Sequence, residues 1–218
     1  MNTTIFYVSI LVILVIIVVL IYYYLWLPRQ NNTKKYNIPL LEKETVFTES
    51  YTNIIKLETL VTRDTLYVPK LGHGVTFSWE MYIPSQGGND IWQTNFNTLK
   101  PIISMNDSPV ISYHPKKNYL SISVKYRNNP FYSQFAEVKF TDIKLQCWNK
   151  YSVVIENRNI RLYINSILIS TKILPSVIAI GDIKSEIILG ETNNNFLGKI
   201  RNLILYPYPL DFDEIQTI

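Results

Sequence analysis

The chain contains 218 residues, of which 47% are hydrophobic and 17% charged, a balance that excludes an intrinsically disordered protein. Its formal net charge is +4, but Arg29, Lys34 and Lys35 lie in the first 35 residues, which hold no acidic residue, so the other 18 basic and 17 acidic residues leave residues 36–218 at +1. A nearly neutral domain argues against nucleic-acid binding, and the single cysteine, Cys147, excludes an intrachain disulfide.

An uncharged apolar segment runs from Ile5 to Leu27. At a rise of about 1.5 Å per residue it would form a helix of roughly 34 Å, which is enough to cross the hydrocarbon core of a bilayer. Aromatic residues, among them Trp26, gather at its C-terminal end as in an interfacial belt, and Pro28 ends the helix. A core helix is rarely this long, and the segment lacks the basic start and small-residue cleavage site of a signal peptide. We therefore predict that residues 1–27 form a single membrane anchor.

Residues 28–45 combine prolines, asparagines and basic residues without an apolar period, which is typical of a tether. Because the basic residues nearest the predicted span all follow it, the positive-inside rule places the C-terminal domain on the cytosolic side. A lone cysteine agrees with a reducing compartment. Glycosylation patterns beginning at Asn31 and Asn106 would favour the opposite orientation, but the first lies beside the membrane and the second precedes Pro109.

Short alternating runs of apolar and polar residues begin near Val46. In the run Val75–Ile83 the odd-numbered residues are apolar, whereas Thr76, Ser78, Glu80 and Tyr82 occupy the other face, as in a half-buried strand. Similar patterns predict strands at Ile54–Thr62, Pro101–Met105, Tyr119–Tyr126, Phe135–Phe140, Tyr151–Ile155, Ile160–Ile164, Ile167–Ile173, Ile187–Leu189 and Ile200–Leu205.

No segment after residue 45 keeps a helical period over three turns, and the prolines fall between or at the ends of the predicted strands. Many short antiparallel strands indicate an all-β sandwich or barrel. Because residues 46–218 exceed an immunoglobulin unit of about 100 residues, we predict a two-sheet antiparallel jelly-roll sandwich.

Three blocks resemble the laminin-G-like, concanavalin A-like lectin/glucanase superfamily. "CWNKYSVVIENRNIRLYINSILI" (Cys147–Ile169) is similar to the family's pattern of a tryptophan, a strand, a tight turn and Leu-Tyr-x-Asn-Gly. "IILGETNNNFLGKIRNLILYPYPLDFDEI" (Ile187–Ile215) resembles its closing segment, and "VTFSWEMYI" (Val75–Ile83) its early strand. The resemblance covers roughly residues 46–218 and implies a concanavalin A-like fold. The compact plan behind a membrane anchor is similar to laminin-G-like proteins of large DNA viruses.

The sequence departs from the family pattern at Ser166, where glycine is usual. A two-residue hairpin between Ile164 and Ile167 requires a positive φ angle at this position. We expect Ser166 to cost some stability there, because its Cβ is disfavoured in that conformation.

Glycan hydrolysis requires two carboxylates flanking the scissile bond, and the resemblance implies a Glu-x-Asp-x-x-Glu pattern, which the sequence lacks. In the densest acidic cluster, Asp211–Glu214, the first and last residues suit an N-cap and N3 pair that opens a terminal helical turn. Cys147 has no partner signature with His73 or His114, and no zinc spacing occurs. We predict that the protein is not an enzyme.

Two kinds of ligand remain open for the loops. The family resemblance implies that calcium could be held by loop carboxylates, here Asp90, Asp107, Asp182 and Glu191, but no spacing pairs them, so solvated acids are the default prediction. Glycans bind exposed loop aromatics with polar neighbours. The candidate glycan contacts are Trp92, Phe131 and Tyr132.

The leading functional prediction is a non-enzymatic, single-pass membrane protein whose cytosol-facing sandwich binds a protein partner or lattice. The viral resemblance implies a place on an internal membrane of a virion, between membrane and capsid. The alternative is a membrane-anchored lectin that recognises glycans.

Overall fold

The structure is a computed structural model that describes residues 15–16, 37–48, 50–57, 74–84, 97–106, 108–127, 133–141, 143–180 and 186–218. The chain divides into two compact units, Met1–Tyr36 and Asn37–Ile218. In the second unit the strands are β1 (Ile38–Leu41), β2 (Thr45–Phe47), β3 (Asn53–Lys56), β4 (Gly74–Tyr82), β5 (Lys100–Met105), β6 (Val110–His114), β7 (Tyr119–Arg127), β8 (Ser133–Thr141), β9 (Trp148–Glu156), β10 (Asn159–Ile164), β11 (Ile167–Ile173), β12 (Ile178–Ala179), β13 (Glu186–Leu189) and β14 (Gly198–Tyr206), followed by helix α1 (Phe212–Thr217).

The strands form two antiparallel sheets that pack as a sandwich, which confirms the all-β prediction. Sheet A has the order β1-β14-β4-β9-β10-β11, and β2 pairs with β14 beyond the end of β1. Sheet B has the order β12-β7-β6-β5-β13-β3, with β8 along β7. Strand β6 pairs with the first residues of β7, and β12 pairs with the last ones. The strands β6 and β12 therefore lie end to end along the same edge of β7.

The core lies between the sheets and is built from the alternating residues of each strand. Phe77, Trp79 and Met81 of β4 are fully buried against side chains of sheet B such as Ile103 and Ile122. This confirms the inward face predicted for β4, since alternation alone directs those residues to one side of the strand.

The outer face of β4 differs from the half-exposed face that alternation predicts. Thr76 and Ser78 are both buried. The Oγ1 atom of Thr76 donates to the carbonyl of Tyr208 at 3.1 Å and accepts from the amide of Leu210 at 2.9 Å. The C-terminal segment therefore returns over the outside of sheet A, where Val154, Tyr163, Tyr206, Leu210 and Ile215 form a second small apolar cluster.

The second unit begins earlier than residue 46, where the sequence predicted the sandwich to start. Strand β1 pairs with β14, and Leu40 and Phe47 enter the core. Strands β1 and β2 have only four and three residues, and β1 contains Pro39. Residues 38–45 therefore lack a strand pattern in the sequence, and only their pairing with the distant β14 shows that they belong to the sandwich.

Two local predictions about turns and caps are confirmed. Asn165 and Ser166 have φ angles of 49° and 65°, as a two-residue hairpin between β10 and β11 requires. At α1 the amide of Glu214 donates to Oδ1 of Asp211 at 2.8 Å, and the amide of Asp211 donates to Oε2 of Glu214 at 2.9 Å. These reciprocal bonds form a capping box.

In the part of the chain that the structure describes, no helix is long and apolar enough to cross a membrane. The predicted span from Ile5 to Leu27 lies outside the described residues, apart from Val15 and Ile16, which are helical.

Candidate functional site

The predicted glycan contacts Trp92, Phe131 and Tyr132 lie outside the described residues, so they stay predictions. The same holds for Asp90, Asp107 and Asp182, three of the four candidate calcium ligands, and for His73. Glu191 is described, and its Oε2 atom accepts from Nδ2 of Asn194 at 2.8 Å in the loop after β13. Across the described ranges, no three His, Cys, Asp or Glu side chains form a group that could hold a metal ion.

His114 and Cys147 have separate surroundings. His114 is buried on β6, and its Nδ1 atom accepts from the amide of Lys117 at 3.3 Å. Burial lowers the pKa of His114, and the charge of Lys117 acts in the same direction. The half-buried Cys147 precedes β9, and its Sγ atom accepts from Nδ2 of Asn149 at 3.2 Å. Their described hydrogen bonds therefore serve local packing and do not join them.

A cluster of large, mostly half-buried side chains lies on the outer face of sheet A. We call it the Trp148 face. Neighbouring strands β14, β4 and β9 bring its members together, because their register sets Lys199, Tyr82 and Trp148 in one row across the sheet. The next row contains Arg201, Glu80 and Lys150. The Trp148 face comprises Glu80, Tyr82, Trp148, Lys150, Lys199, Arg201 and Asn202.

An aromatic and cationic stack forms the centre of this face. The guanidinium of Arg201 lies over the ring of Trp148, 4.3 Å from the ring centroid. The rings of Tyr82 and Trp148 are 5.8 Å apart and tilted. A guanidinium this close to an indole face is attracted by the ring quadrupole, so the two side chains hold each other in place.

Glu80 fixes the other end of Arg201. Its Oε2 atom accepts from Nε of Arg201 at 2.8 Å and lies 2.7 Å from Nη2, while Oε1 accepts from Nδ2 of Asn202 at 2.7 Å. Asn202 reaches this carboxylate because β14 is irregular between Arg201 and Ile204, and Asn202 has a φ angle of 50° there. Asparagine tolerates that backbone conformation better than most residues, and a bulge commonly re-aims a side chain.

Two of the three cations of the Trp148 face, Arg201 and Lys199, are ion-paired within the protein, and the third, Lys150, is hydrogen-bonded. Burial acts to raise the pKa of Glu80, but the hydrogen bonds from Asn202 and Arg201 and the positive charge of Arg201 outweigh it, so this pKa lies below its ordinary value. Nζ of Lys199 lies 2.7 Å from Oε1 of Glu44. Nζ of Lys150 donates to the carbonyl oxygen of Ile218, and burial lowers the pKa of Lys150. All three cations of the face thus have a described partner.

Sequence reasoning identified part of this face without recognising it as a site. Alternation places Glu80 and Tyr82 together on the outer side of β4, as observed. It does not indicate that Trp148 and Arg201 lie beside them, because those residues come from two other strands. A signal was present in the sequence, since Trp148 begins a strand with an apolar alternate face and is therefore directed outward.

No protein-family model matches this sequence, and no curated protein matches it. Solved structures match its fold. The receptor-binding domain of botulinum neurotoxin C/D mosaic serotype aligns at 13% identity with a TM-score of 0.59, covering 85% of this chain and 46% of that one. The binding domain of botulinum neurotoxin serotype G aligns at 14% identity with a TM-score of 0.57 and the same two coverages. The binding domain of botulinum neurotoxin DC, solved in complex with rat synaptotagmin II, aligns at 15% identity with a TM-score of 0.54, covering 83% and 50%. The chain spans about half the length of these neighbours, and at such identities the likeness shows a shared β-sandwich fold.

Proposed function

We propose that this chain is a non-enzymatic, membrane-anchored binding protein whose laminin-G-like jelly-roll sandwich engages a protein partner through the Trp148 face. The observation that carries the proposal is the cluster of Trp148, Tyr82 and Arg201 on the outer face of sheet A. Tryptophan, tyrosine and arginine are the residues that most often dominate binding energy at protein interfaces.

The fixed position of the Arg201 side chain on this face favours binding. Arg201 is held by both Glu80 and Trp148, so little side-chain freedom remains to be lost when a partner docks. The ion pairs of Arg201 with Glu80 and of Lys199 with Glu44 argue for a protein partner over a nucleic acid or a densely anionic polymer, since a polyanion needs several uncompensated basic groups. A mixed aromatic and paired-charge surface suits the centre of a protein interface.

The membrane anchor and the orientation are parts of the same proposal. The uncharged segment from Ile5 to Leu27 and the basic residues that follow it support a single span with the sandwich on the cytosolic side. The glycosylation pattern at Asn106 does not weigh against this, because Oδ1 of Asn106 accepts from the amide of Glu186 at 3.0 Å and Ser108 is buried. The partner class we propose is a structural lattice protein next to the membrane, such as the capsid of a large DNA virus.

The partner is identified by cross-linking the full chain in its native membrane and analysing the products by mass spectrometry. We compare the wild type with Trp148→Ala and with Phe135→Ala, a matched control that removes an exposed aromatic ring with a nearby lysine from β8 of the other sheet. We expect one protein partner whose cross-links fall at least tenfold with Trp148→Ala and persist with Phe135→Ala. Equal recovery from both variants would show that the Trp148 face is not the docking site.

The orientation is tested with sealed microsomes that contain the full chain. We expect added protease to digest the C-terminal domain and Asn106 to carry no glycan. Protection of the domain, or a glycan at Asn106, would place it on the other side of the membrane.

Glycan binding is the alternative that the sequence leaves open. Binding of the full chain to a glycan array, lost on Trp92→Ala and kept on Trp148→Ala, would favour a lectin. Retention of the protein cross-links in the Trp92→Ala variant would favour the proposal made here.

A further inference from the structure

Strand β11 forms an open edge of sheet A. It pairs with β10 on one side, and in the part of the chain that the structure describes no strand pairs with its other side. All seven of its residues are exposed, including Ile167, Leu168, Ile169 and Ile173 at 66%, 45%, 50% and 65%. An exposed row of unpaired amides and carbonyls flanked by apolar side chains is a template for another strand.

The other sheet edges are protected by an ion pair, a proline or short length. On β8, Lys139 and Glu137 form an ion pair at 3.0 Å, and alternate residues are buried. On the opposite edge of sheet A, β1 has four residues and contains Pro39. Strand β3 also has four residues. Charges, proline, bulges and short length are the devices that usually limit edge pairing. Strand β11 has a bulge at Ile169, but the residues beyond it, Ser170–Ile173, are all exposed and include one charged residue, Lys172.

We propose that β11 pairs with β11 of a second copy of this chain, antiparallel and around a two-fold axis at Thr171, so that sheet A continues across a homodimer. The proposal is independent of the docking role of the Trp148 face, because Trp148 begins β9 and contributes nothing to the free edge of β11.

The register follows from the faces of the strand. Thr171 lies opposite Arg161, and Ile173 lies opposite Asn159; both partners alternate with the buried Ile160 of β10, so Thr171 and Ile173 face outward. Residues directly opposite each other in a sheet share a face. Ile169 is the extra residue of a bulge, since Ser170 pairs with Leu162 and Leu168 with Tyr163. It lies two residues from Thr171 and so faces outward with it, and a two-fold axis at Thr171 sets it opposite Ile173 of the second copy.

This register produces favourable cross-strand pairs. Ile169 meets the Ile173 of the second copy, and Thr171 meets its own equivalent, which are apolar and hydroxyl pairs of the kinds that stabilise sheets. Lys172 meets Ser170 of the second copy and not another lysine. A parallel, in-register pairing would set the two Lys172 side chains on adjacent strands about 4.8 Å apart, where like charges repel. Charge therefore selects the antiparallel arrangement.

The dimer is expected to be weak. The paired segment Ile169–Ile173 is about 17 Å long at 3.4 Å per residue, and an edge of this length buries less area than the roughly 1,200 Å² of a stable interface. We expect association at protein concentrations on the order of 10 μM or higher, which an anchor in a shared membrane would favour.

Disulfide trapping of the full chain in detergent tests the pairing and its register. In a Cys147→Ala background, the Thr171→Cys variant places two cysteines on the axis, with Cα atoms about 4.5 to 5.5 Å apart, which suits a disulfide. The control is Phe135→Cys, an exposed position on β8. We expect the Thr171→Cys dimer to form at least tenfold faster. Equal rates would overturn the proposal.

The register has its own test. A mixture of Ile169→Cys and Ile173→Cys chains should cross-link to each other, whereas each variant alone should not, because like positions are then four residues apart along the strand, roughly 14 Å. Efficient cross-linking of either variant alone would overturn the two-fold axis at Thr171.

A charge substitution tests the wild-type association without cysteine chemistry. Thr171→Lys places two ammonium groups opposite each other, so we expect the sedimenting species at high concentration to shift from dimer to monomer, while Thr171→Val keeps the dimer. Unaltered melting temperatures verify that both variants fold. A wild type that stays monomeric up to about 1 mM would overturn the assignment of a second copy. So would a Thr171→Cys variant that forms a disulfide with a different protein and no homodimer.

Discussion

At Ser166, a strained backbone angle and a side-chain hydrogen bond contribute to stability with opposite signs. Its φ angle of 65° disfavours any residue with a Cβ, as the sequence predicted. The structure adds a compensation, because its Oγ atom donates to the carbonyl of Ile215 in α1 at 3.1 Å. The hydroxyl thus ties the hairpin to the helix, and Ser166→Gly trades that bond against relief of strain.

A pair of variants separates these contributions. Ser166→Ala and Ser166→Gly both lose the bond to Ile215, but only alanine keeps a Cβ at the positive φ angle. We expect Ser166→Gly to be the more stable of the two by up to about 1 kcal/mol, measured by chemical denaturation, because the steric gain exceeds the extra chain entropy of glycine. An alanine variant as stable as the glycine variant would contradict the strain.

Glu80 makes part of the stability of the Trp148 face depend on pH. Because its pKa is below the ordinary value, its bonds with Arg201 and Asn202 contribute fully above the ordinary carboxyl range, about pH 4.3, and are lost as the pH falls through the lower folded pKa. We expect the melting temperature of the wild type to fall more steeply between pH 5 and pH 3 than that of Glu80→Gln, whose side chain does not titrate. Parallel pH profiles would show that Glu80 is not coupled to folding.

At the scale of elements, helix α1 depends on its cap. It has six residues, too few to be stable alone, yet it covers part of the outer face of sheet A. Asp211→Ala removes the acceptor for the amide of Glu214 and should cost about 1 kcal/mol, whereas Asp211→Asn keeps an acceptor and should cost much less. Thermal unfolding of the two variants measures the difference, and similar losses would show that the cap does not stabilise the helix.

Strand prediction succeeded for most of the longer runs and missed several short strands. Strands β10 and β11 match the predicted runs, and their hairpin was placed at the correct two residues. The sequence analysis did not predict β6, a short run whose polar residues Ser112 and His114 are buried as well as Ile111 and Tyr113. Strand β12 has two residues, Ile178 and Ala179, which is too short for a period.

At the scale of the whole molecule, the stability of two truncated chains shows where the sandwich begins. A chain of residues 37–218 should fold as a soluble β protein, because it holds the second compact unit complete. A chain of residues 48–218 lacks β1 and β2 and loses Leu40 and Phe47 from the core. The ring centroids of Phe47 and Tyr51 are 4.5 Å apart in the intact domain. Loss of buried side chains of this size costs several kcal/mol.

Circular dichroism and thermal unfolding of the two truncated chains provide the measurement. We expect the chain of residues 37–218 to give a β-type spectrum. The chain of residues 48–218 should either fail to fold or give a β-type spectrum with a clearly lower melting temperature. Equal melting temperatures would contradict a structural role for β1 and β2, and a helix-dominated spectrum of residues 37–218 would contradict the domain boundary.

Local patterns in the sequence settle the fold class, most strands, the tight turn at Ser166 and the cap at Asp211, because each depends on residues within a few positions of one another. The tertiary structure alone decides which distant segments meet. It pairs β1 with β14, brings the C-terminal segment over Thr76, and aligns three strands so that Arg201 contacts both Trp148 and Glu80. Among the residues that the structure describes, it also leaves one edge of β11 unpaired. These features depend on long-range register and coverage, which the period of a single strand does not encode.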